Sequence, residues 1–252
     1  MGSKKIEFKI HPHLSKIDII KPKPKSLAIP SWYKKVERHI LSYPNLKGCM
    51  PFLDGLTAGY VLPLPQDMLL SYNIDNPDTG KKDLMFKFSL GDGFYDNDLA
   101  AYNLNSTKPQ VHPTKQFGGD DSYLAKKQNG FAALKILNPW IIRTPPGYSC
   151  LFITPTHGDE VNDYFNILTA IVDTDVFENH INFPFVINGD KYDSFSKLFK
   201  AGTPYVQIIP FKRDEWQMEI GKGRQTNTFN YNYWSSMINR YKTKIWNRKK
   251  WK

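Results

Sequence analysis

At 252 residues, 40% of them hydrophobic and 14% aromatic, the chain holds enough apolar material for a sizeable core and too much for a disordered protein. Its net charge of +10 is a property of the two ends: residues 1–35 hold nine Lys against Glu7 and Asp18, and residues 240–252 hold seven Lys and Arg and no acid. No stretch of about 18 uncharged apolar residues is present to make a membrane-spanning helix, and the opening MGSKKIEFKI lacks the apolar segment of a secretory signal.

In chain order, residues 1–30 carry four prolines, including the run Lys21-Pro22-Lys23-Pro24-Lys25. Proline fixes φ and donates no hydrogen bond, so this reads as a basic extended N-terminal arm. Ser31 follows as the cap of a short helix over about 31–42, with Trp32, Val36, Ile40 and Tyr43 on one face and Pro44 as the stop. From Lys47 the pattern turns to strands: Met50 to Leu53, Tyr60 to Leu62, Met68 to Leu70, and the alternation Leu84, Phe86, Phe88, Leu90. Residues 91–130, rich in Gly, Asp, Asn, Lys and Gln, are expected to form a long surface excursion. Strand-length apolar runs resume at Leu134 to Leu137, Trp140 to Ile142, Cys150 to Ile153, Ile167 to Val172, Ile181 to Ile187 and Tyr205 to Phe211, punctuated by Pro and Gly.

The pattern predicts a mainly β protein, a β-sandwich or β-clip-like body with strands over about 47–213. Its divisions are an arm at 1–30, one β-rich body at 31–220 and a basic tail at 221–252. In the tail, Trp234, Met237, Ile238, Tyr241 and Ile245 repeat at helical spacing, which predicts a basic amphipathic helix over about 232–247. The lone cysteines, Cys49 and Cys150, are expected to be two buried thiols in a reducing compartment.

Candidate chemistry is sparse. The six histidines are scattered without the spacing of a metal site, and no phosphate-loop, dinucleotide or nucleophile-elbow motif occurs, so neither a metal nor a cofactor is expected. Asp173 and Asp175 stand two apart after an apolar run, where two carboxylates either shape a turn or orient a metal or water. In Pro210-Phe211-Lys212-Arg213-Asp214-Glu215-Trp216, Lys212 and Arg213 can hold an anion and Trp216 can stack on a base. The alternative is an ion pair with Asp214 or Glu215 and a Trp that plugs the end of the body. Lys242, Lys244, Trp246, Arg248, Lys249 and Lys250 form a second candidate surface for a polyanion or a protein neighbour.

Two resemblances follow from particular residues. On Trp32-Tyr33-Lys34, Cys49-Met50-Pro51-Phe52, Ala58-Gly59-Tyr60, Asn138 to Ile142, Thr144 to Phe152, Val172 to Asp175, Asn182 to Phe185 and Gly202 to Trp216, the chain resembles uncharacterised bacteriophage proteins over most of its own length. Ile171-Val172-Asp173-Thr174-Asp175 followed by Gly202-Thr203-Pro204-Tyr205-Val206-Gln207 resembles, within about 135–213, the β-clip fold of trimeric dUTP pyrophosphatases and dCTP deaminases. That second resemblance implies a catalytic or base-contacting role for Asp173, a phosphate-side role for Gln207, and Mg²⁺. Val176 and Phe177 stand where that family has Tyr and Gly, and its Arg-Ser-Ser element is missing.

Together these readings favour a non-enzymatic phage-type protein that acts by binding, a virion structural or accessory component in the host cytoplasm or the virion. Its basic arms would engage neighbouring subunits, as in a homo-oligomer, other virion proteins or nucleic acid. The alternative is a β-clip-type nucleotide hydrolase or nucleotide-binding module.

Overall fold

The computed structural model describes residues 4–10, 19–37, 45–90, 93–95, 110–158, 161–222 and 241–252. Fifteen strands are placed among them: β1 (Glu7–Ile10), β2 (Lys23–Pro24), β3 (Tyr60–Pro63), β4 (Met68–Asp75), β5 (Lys82–Leu90), β6 (Gly93–Tyr95), β7 (Gln110–His112), β8 (Ala133–Ile136), β9 (Trp140–Arg143), β10 (Tyr148–Ile153), β11 (Phe165–Ile167), β12 (Ala170–Val172), β13 (Phe183–Ile187), β14 (Phe195–Phe199) and β15 (Pro204–Lys212). Four short α-helices interrupt them: α1 (Ser31–Lys35), α2 (Met50–Thr57), α3 (Tyr123–Lys127) and α4 (Val161–Tyr164). The protein is mainly β with a sandwich-like body.

Every strand pairing is antiparallel. A five-stranded sheet runs in the order β12-β10-β15-β3-β2. Two four-stranded sheets run β11-β13-β8-β7 and β14-β4-β5-β6, and β1 pairs with β9. Alternation along β4 and β5 turns Met68, Leu70, Tyr72, Leu84, Phe86 and Phe88 inward, while Leu69, Ser71, Met85 and Lys87 stay half-buried. The sheets meet through aromatic rings. Phe152 of β10 lies 5.5 Å from Phe183 of β13, which lies 5.9 Å from Tyr205 of β15, and Phe86 of β5 lies 5.9 Å from Phe185 of β13. Such edge-to-face pairs stabilise by about 0.5–1.5 kcal/mol each beyond the area they bury. β15 is enclosed in its first half: Tyr205, Val206, Gln207 and Ile208 are buried in succession, on both faces.

Several sequence expectations need correction. Met50 to Leu53 begin the helix α2, not a strand. Pro51 sits in its first turn, where a missing N–H costs nothing, and a four-residue apolar run has no period that separates strand from helix. The helix expected over 31–42 ends at Lys35, where Val36 turns extended; Pro30, not Ser31, is its cap, and residues 38–44 lie outside the described residues. The excursion at 91–130 contains β6, β7, a 3₁₀ turn at Thr114–Phe117 and α3, because polar segments also extend sheet edges. β6 pairs with β5 and β7 with β8, while Ser122 caps α3 by accepting from the Ala125 N–H at 3.2 Å. Ile167 to Val172 is not one strand, since the chain leaves β11 in one sheet and enters β12 in another.

The basic N-terminal stretch is extended and is also woven into the body. β1 pairs along β9, β2 pairs along β3, Ile19 joins the core and Lys25 is 1% exposed. Cys150 is buried as expected. Cys49 is exposed, because it caps α2 at the surface.

Candidate functional site

The end of β10 and the turn after β12 bring four polar side chains together. β10 has β12 on one side, with Cys150 opposite Val172, and β15 on the other, with Tyr148 opposite Lys212. The chain then turns at Asp173, whose carbonyl accepts from the Val176 and Phe177 N–H groups at 3.1 and 2.9 Å. Arg213, one residue beyond β15, therefore faces that turn across the end of β10. Its N–H donates to the Gly147 carbonyl at 2.9 Å, which fixes the exit of the chain from the sheet.

The guanidinium of Arg213 grips Asp175 with both arms, Nη1 donating to Oδ1 at 2.8 Å and Nη2 to Oδ2 at 2.5 Å. Nη1 also reaches Ser149 Oγ at 3.0 Å and lies 3.1 Å from Asp173 Oδ1. Ser149 in turn donates to Asp173 Oδ1 at 2.6 Å, and the Gly147 N–H donates to Asp175 Oδ2 at 2.8 Å. Beneath them Thr144 and Thr174 share a hydroxyl bond of 2.7 Å, and the Thr174 hydroxyl lies 3.3 Å from Cys150 Sγ.

The charges follow this wiring. The Arg213 fork, assisted by the Gly147 N–H, holds the Asp175 carboxyl down at about 2, even though its side chain is only 5% exposed. The Ser149 hydroxyl, then Arg213, hold Asp173 below the ordinary carboxylate range. The same bonds raise the guanidinium, and the hydrogen bond to Asp214 raises the Lys212 ammonium. Burial pushes the Cys150 thiol up to about 11. A carboxylate that takes a proton near neutrality needs a raised value. Both aspartates are moved the other way, as befits anions that hold a turn closed.

Gln207 lies elsewhere. It pairs with Ile153, four residues along β10 from Ser149, which is about 13 Å of strand. Its side chain is fully buried. Oε1 accepts from Thr156 N at 2.9 Å and from Thr156 Oγ1 at 3.0 Å, while Nε2 donates to the Ala58 carbonyl at 2.9 Å. These bonds tie the end of α2 to the 154–157 turn, so Asp173 and Gln207 are not brought onto one ligand. Among the described residues no group of three or more His, Cys, Asp or Glu is placed to hold a metal ion, and no helix is long and apolar enough to cross a membrane.

The remaining candidate residues fall into two regions. Arg213 pairs with Asp175 and Asp173, where Asp214 or Glu215 was the expected partner; Asp214 belongs to Lys212. Trp216 plugs nothing: it is 91% exposed, in an extended stretch that leaves the body after Arg213 and also exposes Met218 at 85% and Ile220 at 88%. In the tail residues 221–222 and 241–252 are described, so Trp234, Met237 and Ile238 lie outside them. One helical turn, of π type, covers Tyr241–Ile245, and Tyr241 and Ile245 are exposed rather than packed as the stripe predicts. Lys242, Lys244, Arg248 and Lys250 are exposed.

Packing falls to the residues after that turn. Trp246 Nε1 donates to Asp54 Oδ2 at 2.9 Å, and Lys249 lies 2.7 Å from the same oxygen. Trp251 packs edge-on to Tyr60, whose hydroxyl donates to the Lys252 carbonyl at 3.1 Å. Ser149, Thr144 and Thr174 were missed in the sequence. Their one signal is a polar residue, Ser149, directly before the apolar run of β10.

No protein-family model matches this chain, and no curated protein matches it at a significant level.

Proposed function

We propose that this chain is a non-enzymatic building block of phage type, a virion structural or accessory component that works by binding its neighbours. One observation carries the reading. The segment after Arg213 is anchored at its base by backbone and side-chain bonds, then runs extended with Trp216, Met218 and Ile220 in solvent. Large apolar side chains that a rigid base holds away from their own core are the mark of a surface that another molecule covers. The opposite condition of the candidate catalytic groups supports the same reading. Asp173 and Asp175 are committed to Arg213, Gln207 is committed to α2, and neither set converges on open space as a nucleotide site requires.

The test is sedimentation of the purified chain together with a search for it in purified particles. A multimer that is present in the particles is the expected result, and a monomer absent from them overturns the reading. Incubation with dUTP and dCTP in Mg²⁺ is expected to release neither pyrophosphate nor ammonia.

A further inference from the structure

The apolar arm and a groove elsewhere on the chain are complementary in shape class and in charge. Within Asp214–Lys222 the apolar residues Trp216, Met218 and Ile220 alternate with Glu215, Gln217 and Glu219, which is the pattern of a strand with one apolar and one acidic edge. The five residues from Trp216 to Ile220 span about 13 Å when extended. All three apolar residues are at least 85% exposed, so none of them is packed into the core.

The groove lies where the tail crosses α2. Ile29, Leu53 and Trp251 line it together with Arg248, Lys250 and Lys252, and its volume is about 680 Å³. That volume lies within the range of about 300–1,000 Å³ typical of sites that engulf a ligand of several rings. The groove's carboxylate, Asp54, already receives Trp246 and Lys249. The arm carries Asp214, Glu215 and Glu219 against Lys222, and Asp214 is bonded to Lys212. The acidic residues of the arm thus match the groove's cations in charge, and its apolar residues match Ile29, Leu53 and Trp251 in kind.

We propose that the arm of one copy seats in the basic groove of a second copy. The inference rests on the assembly reading above and makes it specific. Arm and groove are different surfaces, so the contact is head-to-tail: it closes into a ring when the rotation between copies closes, and propagates as a filament when it does not. Nucleic acid is the rival occupant of a basic groove, but it would leave the apolar edge of the arm uncovered.

The experiment mixes two populations of the full chain, each carrying Cys49→Ser because Cys49 is exposed. One carries Met218→Cys on the arm, and the other carries Ser26→Cys, at a residue that lines the groove. Under mild oxidation, mixed disulfide dimers are expected at least tenfold above a control that replaces Ser26→Cys with Asp121→Cys, a fully exposed site. Separately, Glu215→Lys with Glu219→Lys is expected to weaken self-association more than tenfold at unchanged melting temperature, and Lys250→Glu in the other copy to restore part of it. A chain that still self-associates, without the cross-link and without the charge effect, overturns the arm–groove contact and leaves the assembly reading standing. A chain that is monomeric throughout overturns both. Loss of oligonucleotide binding in Lys250→Glu with self-association untouched overturns the contact and gives the groove to nucleic acid.

Discussion

β15 and the arm that continues it are adjacent in the chain and opposite in fate. Tyr205, Val206 and Ile208 are all but inaccessible to water, whereas Trp216, Met218 and Ile220, no less apolar, stand in it. What separates them is the backbone. Gln207 to Lys212 have β10 on one side and Pro204 to Ile208 have β3 on the other, so ladder hydrogen bonds hold the strand while Tyr205 packs against Phe183 of another sheet. Past the Arg213 N–H bond to Gly147 no strand among the described residues pairs with it. Apolar residue type alone does not decide burial; a second surface must be present to receive it.

That contrast can be tested on both sides. The largest effect is expected in the core: Phe185→Ala, at a ring buried among Phe86 and Phe165, should cost about 3–5 kcal/mol in chemical denaturation. Trp216→Ala, the same kind of truncation on the arm, should change stability by no more than about 0.5 kcal/mol while reducing the mass of the assembly.

Next comes Gly59, which has φ +68° just before β3. A Cβ there would lie 1.9 Å from the Ile208 carbonyl oxygen, so Gly59→Ala must push β3 away from β15 and should lower the melting temperature sharply.

Asp175→Asn should lower it by less, and should change its pH dependence. The Asp175 value is depressed when folded, so its stabilisation is complete above the unfolded carboxylate value of about 3.9 and disappears as pH falls through about 2. Between those two values the parent chain should lose stability as acid is added, and the variant should lose less. A melting curve against pH for both proteins checks the sign.

A smaller effect than that of the core truncation is expected on removal of residues 240–252. That deletes one indole bond and one exposed ion pair to Asp54 and the bond from Tyr60, together about 1–2 kcal/mol, and the body should still unfold in one cooperative step.

Much of this was legible where hydrophobic period and turn chemistry agree, as in the Leu84 to Leu90 alternation and in the Pro and Gly breaks around β10 and β15. It failed where one segment admits two readings. Met50 to Leu53 has β-like composition, but Pro51 suits a helix start, and the contacts of Leu56 with the body decide. β14 went unnoticed because Phe195, Leu198 and Phe199 do not alternate cleanly; its pairing with β4 makes it a strand. Asp173, Asp175 and Arg213 stood out singly in the sequence. Their union did not, since it requires knowing that Tyr148 lies opposite Lys212 and Cys150 opposite Val172, a register no local pattern encodes.

Tyr60 is a meeting point for both chain ends. Phe8 packs against its ring at 5.8 Å, Pro24 is its partner in β2, and Trp251 and Lys252 close over it from the other end. Lys23, opposite Val61, and Lys252, whose carbonyl receives the Tyr60 hydroxyl, are thereby anchored at neighbouring positions of β3. The two basic ends of the sequence are thus joined at one strand of the fold. Toward a phosphate polymer, cations so joined would release their counterions in one event, and affinity would fall with a steeper power of salt concentration than either end alone would give.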